Sequence, residues 1–347
     1  MEYPSLDKPK AGAIRFNTDS SQMEIYDGNQ WTGVLSGLTP TLQTGGTRGL
    51  FHGFFNDSAT NRTVDYVQVT TTGNAIDFGD MNSNAQFYGG ATSSRIRSYY
   101  MGGQNMGGSH SNQIQYFTMS STGDGTDYGD LDTSVTYQNA GASNGTRGLS
   151  AGGGYTGGSN TNVIEYFVLT TSGSGKNFGD LTAAQFSGAG SVCSKTRSIF
   201  TSNASASASN YKYMDYVQTA TLGNASDFGD QSTGFGHHTS GIASNAVRGV
   251  LVSGYVAPSK VNTVEYITMA TLGDSVDFGD LTSVRMNTSC AASSTRLVVS
   301  NGRTDGPGYV NTIDYHEIMT TGNFHDFGDS TVGSDMRPGA SNGHGGL

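Results

Sequence analysis

An Asp/Asn-aromatic-Gly-Asp tetrad occurs six times in this sequence: Asp77–Asp80, Asp127–Asp130, Asn177–Asp180, Asp227–Asp230, Asp277–Asp280 and Asp326–Asp329, at spacings of 50, 50, 50, 50 and 49 residues. A fixed period of that length marks one supersecondary unit copied in series, and it constrains the fold more than composition does. Other landmarks keep the same beat. An Arg opens a strand-like run at Arg48, Arg97, Arg147, Arg197, Arg248 and Arg296. An acid or amide precedes a Tyr at Asp65, Gln115, Glu165, Asp215, Glu265 and Asp314, and a turn glycine recurs at Gly73, Gly123, Gly173, Gly223, Gly273 and Gly322.

Each copy reads as four strands. The third is clearest: small residues at Ala140–Asn144, a turn, Arg147–Gly152, a polar loop, the β-branched and aromatic run Val163–Leu169, a Gly173 turn, and Lys176–Asp180. Four strands per repeat of about 50 residues is the pattern of a propeller blade, so the expected fold is all-β, a six-bladed β-propeller over residues 35–347. The 51 glycines and 34% hydrophobic content suit short strands joined by tight turns. Gly339-Ala340-Ser341-Asn342-Gly343 matches the first strand of the third copy, whereas residues 36–46 match it poorly. The C-terminal segment is therefore expected to complete the first blade and close the ring.

Residues 1–34 stand apart. Ala13–Asn17, Met23–Tyr26 and Gln30–Val34 read as three short strands, too little chain to bury a core alone. This β module is expected to anchor or oligomerise the protein through Ile14, Phe16, Ile25, Tyr26 and Trp31.

Repetition weighs against chemistry at the repeated groups. Asp-Phe-Gly holds magnesium in protein kinases, but no accompanying kinase motif is present. Two carboxylates three residues apart are too few for a calcium site, so no metal is expected. The tetrad aromatic is expected to pack between blades, with the Asp capping a turn. The periodic Arg is read as structural, pairing with carboxylate or carbonyl. Cys193 and Cys290 read as buried free thiols. The seven His have no zinc-ligand spacing with Cys, and no catalytic motif is visible; neither enzyme activity nor a cofactor is expected. A net charge of −10 argues against nucleic-acid binding, and no run is long and apolar enough for membrane insertion. The start, Met1–Lys8, does not read as a signal peptide. What varies between copies is the loop between the second and third strands. It shares a face with the blade-to-blade connection and supplies the candidate binding residues Tyr155, Tyr211, Tyr255, Arg303 and Tyr309.

Gly12–Asp19 followed by Ile25–Trp31 resembles a short module of tail-fibre and other virion structural proteins of tailed phages, particularly marine cyanophages. Residues 36–347 resemble the kelch-like repeats of phage structural proteins, although the kelch diglycine survives only at Gly102-Gly103 and Gly152-Gly153 and the kelch Trp is absent. The resemblance implies a multi-copy or homo-oligomeric virion component in tail, neck fibre or head decoration, assembled in the host cytoplasm. Residues 1–34 would face other virion proteins, and the kelch-like propeller would act as an adhesin for a host-surface glycan or protein receptor. Two alternatives share the scaffold: a carbohydrate-active or oxidising enzyme, and a purely architectural docking subunit.

Overall fold

The computed structural model describes residues 9–17, 22–33, 47–56, 62–82, 87–105, 107–132, 138–154, 159–185, 190–201, 212–233, 241–252, 254–256, 259–306 and 308–347. These residues are all-β, without a helix. The chain divides into two compact units, Met1–Thr44 and Gly45–Leu347; the boundary expected at residue 34 lies outside the described residues. The first unit is a three-stranded antiparallel sheet of Ile14–Asn17, Gln22–Tyr26 and Trp31–Gly33, in that order. Its second turn is held by the Asp27 carboxylate, which accepts the backbone N–H groups of Asn29 and Gln30, both at 2.8 Å.

The second unit holds six four-stranded antiparallel sheets, one per sequence repeat. Sheets two to six each take four consecutive main strands, for example Gly90–Ser93, Arg97–Met101, Gln113–Thr118 and Thr126–Asp130 in the second. The first sheet is different. Its strands Arg48–Phe51, Thr63–Gln68 and Ile76–Asp80 are completed by Gly339–Ser341, which pairs Gly339 with Phe51, Ala340 with Leu50 and Ser341 with Gly49. The segment that matched a first strand in the sequence thus occupies that place.

The tetrad encodes a β-bulge. In each sheet the register between third and fourth strands slips by one residue at the aromatic, as where Asp77 faces Asp65 but Gly79 faces Val64. The extra residue (Phe78, Tyr128, Phe178, Phe228, Phe278 or Phe327) turns inward and is buried. There it meets the third-strand Tyr edge-on, with centroids 5.6 Å apart for Tyr66 and Phe78 and 6.3 Å for Tyr166 and Phe178. The second-strand Arg lies over the ring of that Tyr, 4.0 Å from the centroid at Arg248 and 5.0 Å at Arg48. Arg, Tyr and bulge aromatic brace three strands of every sheet; aromatic pairs and cation–π contacts each contribute on the order of 1 kcal/mol.

Consecutive sheets are joined by a repeated set of bonds. The turn glycine of one sheet donates its N–H to the tetrad aromatic carbonyl of the preceding sheet, at 2.8 Å from Gly123 to Phe78 and 2.9 Å from Gly73 to Phe327. The bulge glycine allows this approach: it sits at φ between +139° and +153°, and a Cβ at Gly79 would lie 2.5 Å from the Gly123 oxygen. The expected cap by a tetrad Asp side chain is present at Asp77, whose Oδ1 accepts the Gly79 N–H at 3.2 Å; at the joins the capping side chain belongs to another residue. At five joins the last tetrad residue gives its backbone N–H to the side chain after the next turn glycine: Asp80 to Asp124, Asp180 to Asn224, Asp230 to Asp274, Asp280 to Asn323, and Asp329 to Asn74, at 2.9–3.1 Å.

The order is cyclic. Sheet one bonds to two, each later sheet to the next, and six to one through Phe327 and Gly73. Six apolar clusters lie one at each join, and the one between sheets six and one contains Val298, Ile313, Phe327, Phe51 and Val67. First strands neighbour one another in the same order. They are made largely of small residues, and at Gly141 nothing larger fits: a Cβ there would lie 2.2 Å from the Ala91 oxygen. Hydroxyls tie them together, Ser143 donating to Ser93 O and Ser93 to Ser341 O, both at 2.6 Å.

Candidate functional site

The repeated polar groups are engaged between sheets. Each second-strand Arg for which the bond is defined donates to a carbonyl of the next sheet: Arg48 to Met119 O at 2.8 Å, Arg147 to Thr219 O at 3.0 Å, Arg197 to Met269 O and Arg248 to Ile318 O at 2.9 Å, and Arg296 to Thr70 O at 3.0 Å. The acid or amide before each Tyr is buried and reaches back to the residues just past the preceding tetrad. Asp215 accepts from the Thr182 N–H and hydroxyl, and Glu165 from the Asp132 N–H. Burial raises the carboxyl pKa of Asp215 despite the Thr182 bonds. At two joins a fully buried Arg completes the pair: Arg285 with Asp314 at 2.9 Å and Arg337 with Asp65 at 2.7 Å. These two Arg are not among the periodic ones.

The irregular face is assembled differently. In sheets one, two and six the second-to-third loop is bridged to an inter-sheet connection: Phe55 to Asp335, Phe87 to Gln104, and Met286 to Arg303. The two sets of loops therefore share one face, as the strand order requires. Of the five candidate loop residues, Tyr155 and Tyr211 lie outside the described residues. Tyr255 opens a small hairpin, paired with Lys260, whose ammonium meets Asp305 at 3.1 Å in the neighbouring loop. Arg303 lies 5.6 Å over the Tyr309 ring. From there rings continue through Phe55 (6.1 Å) and Phe87 (5.1 Å) to Tyr88 (5.2 Å). Arg303 and Tyr309 are thus brought together, and Tyr255 belongs to the adjoining loop.

Tyr88 stands at the rim of a cavity of about 80 Å3 between the first strands, open on one side. Four non-glycine residues at this rim share a left-handed backbone: Tyr88 (φ 62°), Gln138 (60°), Asn287 (59°) and Met336 (58°). Such a backbone costs roughly 1 kcal/mol or more per residue unless the surroundings hold it. Here a relay of backbone hydrogen bonds holds it: Met336 N–H to Asn287 O, Tyr88 N–H to Met336 O, and Gln138 N–H to Tyr88 O. Asn139 and Asn287 are among the lining residues, and the Oδ1 of each is buried, with essentially no accessible surface and no hydrogen-bond partner.

A second, smaller cavity among the first strands is lined by Cys193, Cys290 and His344. Both cysteines are free and buried, as the burial preference of free thiols suggested. Their chemistry differs. Burial pushes the Cys290 thiol well up. Burial is the largest influence on Cys193 and works to raise it, but His344, with Nδ1 3.3 Å from Sγ, and the backbone of Ser143 and Gly346 together outweigh it and hold that thiol below its ordinary value. Among the described residues no group of three or more His, Cys, Asp or Glu gathers as metal ligands. His237 and His238 lie outside them.

In the small N-terminal sheet, cross-strand pairs Ile14–Ile25 and Phe16–Met23 place four apolar side chains on one face, 38–62% exposed. On the other face Tyr26 packs on Trp31, with centroids 5.3 Å apart, and Arg15 covers Trp31 at 4.3 Å while pairing with Glu24. Of the five anchoring candidates, Ile14, Phe16 and Ile25 form the open face, while Tyr26 and Trp31 build the opposite one. The four residues of the rim share a backbone conformation and no side-chain type. No protein-family model matches the chain, and no curated protein matches it.

Proposed function

We propose that residues 45–347 form a six-bladed β-propeller and that the chain is a non-enzymatic virion structural protein of a tailed phage, displaying that propeller for attachment. The cyclic order of joins, first strands and apolar clusters supports the propeller. The observation that carries the functional reading is a division of labour. Repeated Arg and acidic groups are consumed between sheets, whereas the one face built from irregular loops gathers Arg303, Tyr309, Phe55, Phe87 and Tyr88 beside a cavity. A uniform scaffold with one variable face is the construction of a binding module rather than of a convergent catalytic centre. The open face of Ile14, Phe16, Met23 and Ile25 supports the anchoring role, since apolar area of this kind is covered in an assembled protein.

The resemblance of both parts to phage structural proteins sets the context: a multi-copy component whose N-terminal sheet docks on other virion proteins. The test is direct. Mass spectrometry of purified particles should find the chain at a fixed copy number, and the purified protein should compete with particles for adsorption to host cells. Absence from the particle removes the virion reading; presence without competition favours the architectural subunit. Averaged electron micrographs of residues 45–347 should show six lobes around an axis, and five or seven would refute the blade count.

A further inference from the structure

We propose that Cys193 is a modification site, a thiol that a small hydroperoxide such as hydrogen peroxide oxidises to the sulfenic acid with His344 as the base. This inference goes beyond the attachment reading and stands or falls apart from it. The place is the smaller cavity, which the first strands of all six sheets line, from Ala91 and Gly141 round to Cys290 and Gly339. The chain returns to it after its closing strand, and His344 lines it beside Cys193. The tautomer of His344 follows from its neighbours. Gly346 N–H donates to Nδ1 at 3.1 Å, so that nitrogen carries no proton. The Ser143 hydroxyl spends its proton on Ser93 O, at 2.6 Å, and is left to accept. Nε2–H therefore meets Ser143 Oγ at 3.2 Å and Ser93 O at 3.3 Å, which turns Nδ1 to Cys193 Sγ, 3.3 Å away. A nucleophile, a base within reach of its proton and a third group that orients the base make up the arrangement that activates a thiol.

Charge favours the same pairing. Burial opposes ionisation of both partners, yet the thiol lies below its ordinary value and His344 lies above its own, helped by the Ser93 carbonyl and opposed by Arg95. The thiolate, not the thiol, is the form that peroxide oxidises. Cys290 supplies a contrast within the fold. It lines the same cavity, but there burial outweighs the Arg285 charge and pushes the thiol well up. Size selects the oxidant. A cavity of about 40 Å3 has room for roughly two or three water-sized molecules, which suits hydrogen peroxide and shuts out bulkier electrophiles. Cys193, 7% exposed, lies at its wall. The step balances: His344 Nδ1 takes the thiol proton, and the sulfur attacks one peroxide oxygen. The S–O bond forms as the O–O bond breaks, and the departing hydroxide takes the proton back from Nδ1 and leaves as water. Sulfur is oxidised by the electron pair that reduces the peroxide.

The test uses the full, folded chain at neutral pH. Hydrogen peroxide is added for graded times, catalase removes the excess, and the chain is unfolded in urea containing dimedone to trap sulfenic acid. Tryptic peptides 177–195 and 286–296, which carry Cys193 and Cys290 separately, are then quantified by mass spectrometry. Cys193 should be oxidised at least about tenfold faster than Cys290, and the difference should vanish when peroxide meets a chain already in urea. His344→Gln keeps a polar side chain without a base and should slow Cys193 by about tenfold or more. Cys290 guards the reading of that variant, because a loosened fold would speed Cys290 whereas loss of the base slows Cys193 alone. If the variant does loosen, the wild-type comparison of folded and urea-treated chains decides. Equal rates in the folded wild type, no oxidation of Cys193, a difference that persists in urea, or an undiminished Cys193 rate in a folded His344→Gln would each overturn the assignment.

Discussion

The buried pair of Arg337 and Asp65 offers the sharpest test of how the last residues hold the first sheet. Arg337 is fully buried, meets Asp65 Oδ2 at 2.7 Å, and donates to Phe51 O at 2.8 Å and Thr63 O at 3.3 Å. Arg337→Met removes all three bonds and leaves the carboxylate without its cation; breaking such a pair costs about 3–5 kcal/mol. Gly45–Leu347 is one compact unit, and with ~2.1 cal/mol/K per residue the unfolding entropy is roughly 0.6 kcal/mol/K. The melting temperature should therefore fall by about 5–8 °C. Adding Asp65→Leu removes the stranded charge, so the double variant should recover most of the loss. Calorimetry at pH 7 on wild type, both single variants and the double variant closes the cycle. A coupling energy below about 1 kcal/mol would refute the reasoning. Arg285 and Asp314, one join earlier, should repeat the result.

Other outcomes follow from the same geometry. His52 is fully buried and neutral, its Nδ1–H donating to Pro338 O at 3.0 Å and its Nε2 accepting from the Ser98 hydroxyl at 2.8 Å. Burial, helped by Arg337, lowers its pKa from 6.5 to about 4. The unfolded chain then binds the extra proton first, so about 3 kcal/mol of stability, present in full above pH 6.5, is lost as pH falls to 4; His52→Gln should flatten that slope in denaturant titrations. Gly229 and Gly273 are both at positive φ, but a Cβ on Gly229 would lie 2.5 Å from the Gly273 oxygen whereas one on Gly273 meets nothing within 4 Å. Gly229→Ala should thus cost at least about 1 kcal/mol more than Gly273→Ala, read from urea midpoints. Deleting residues 330–347 removes the strand paired with Arg48–Phe51 and should lower the melting temperature of the whole second unit; an unchanged value would show that the strand contributes nothing to closure.

Much of this architecture is legible in the sequence because each repeat solves the same local problem. A bulge needs an aromatic to turn inward and a glycine to let the next turn approach, so the tetrad recurs. Small residues recur where first strands meet. The C-terminal match to a first strand was readable because that strand has the same neighbours as the other five. Side chains acting off the period were not legible. Arg285 and Arg337 fill equivalent places from different distances beyond their tetrads, five residues after Asp280 and eight after Asp329, so no alignment on the tetrad brings them together. The rim follows no side-chain type for a different reason. Tyr88, Gln138, Asn287 and Met336 act through φ and peptide hydrogen bonds, which a side-chain pattern does not record. Among loop residues, the enrichment of Arg and aromatics at recognition sites pointed to Arg303 and Tyr309 but could not indicate that Phe55 would link Tyr309 to Phe87.

The joins between sheets all run in one sense. Arg donates forward, the turn glycine donates backward, and no bond is matched by its own mirror image. Each sheet therefore carries a head and a tail that differ, a heterologous contact whose only finite solution is a closed cycle. Copy number is consequently a geometric property of the joint and not an adjustable one. A chain that lost or gained one fifty-residue copy would keep good local bonds everywhere except at one seam, where a free head and a free tail would face outward. Such a chain would find its complement in another molecule, and the product would be a strand-exchanged oligomer or filament rather than a smaller or larger ring.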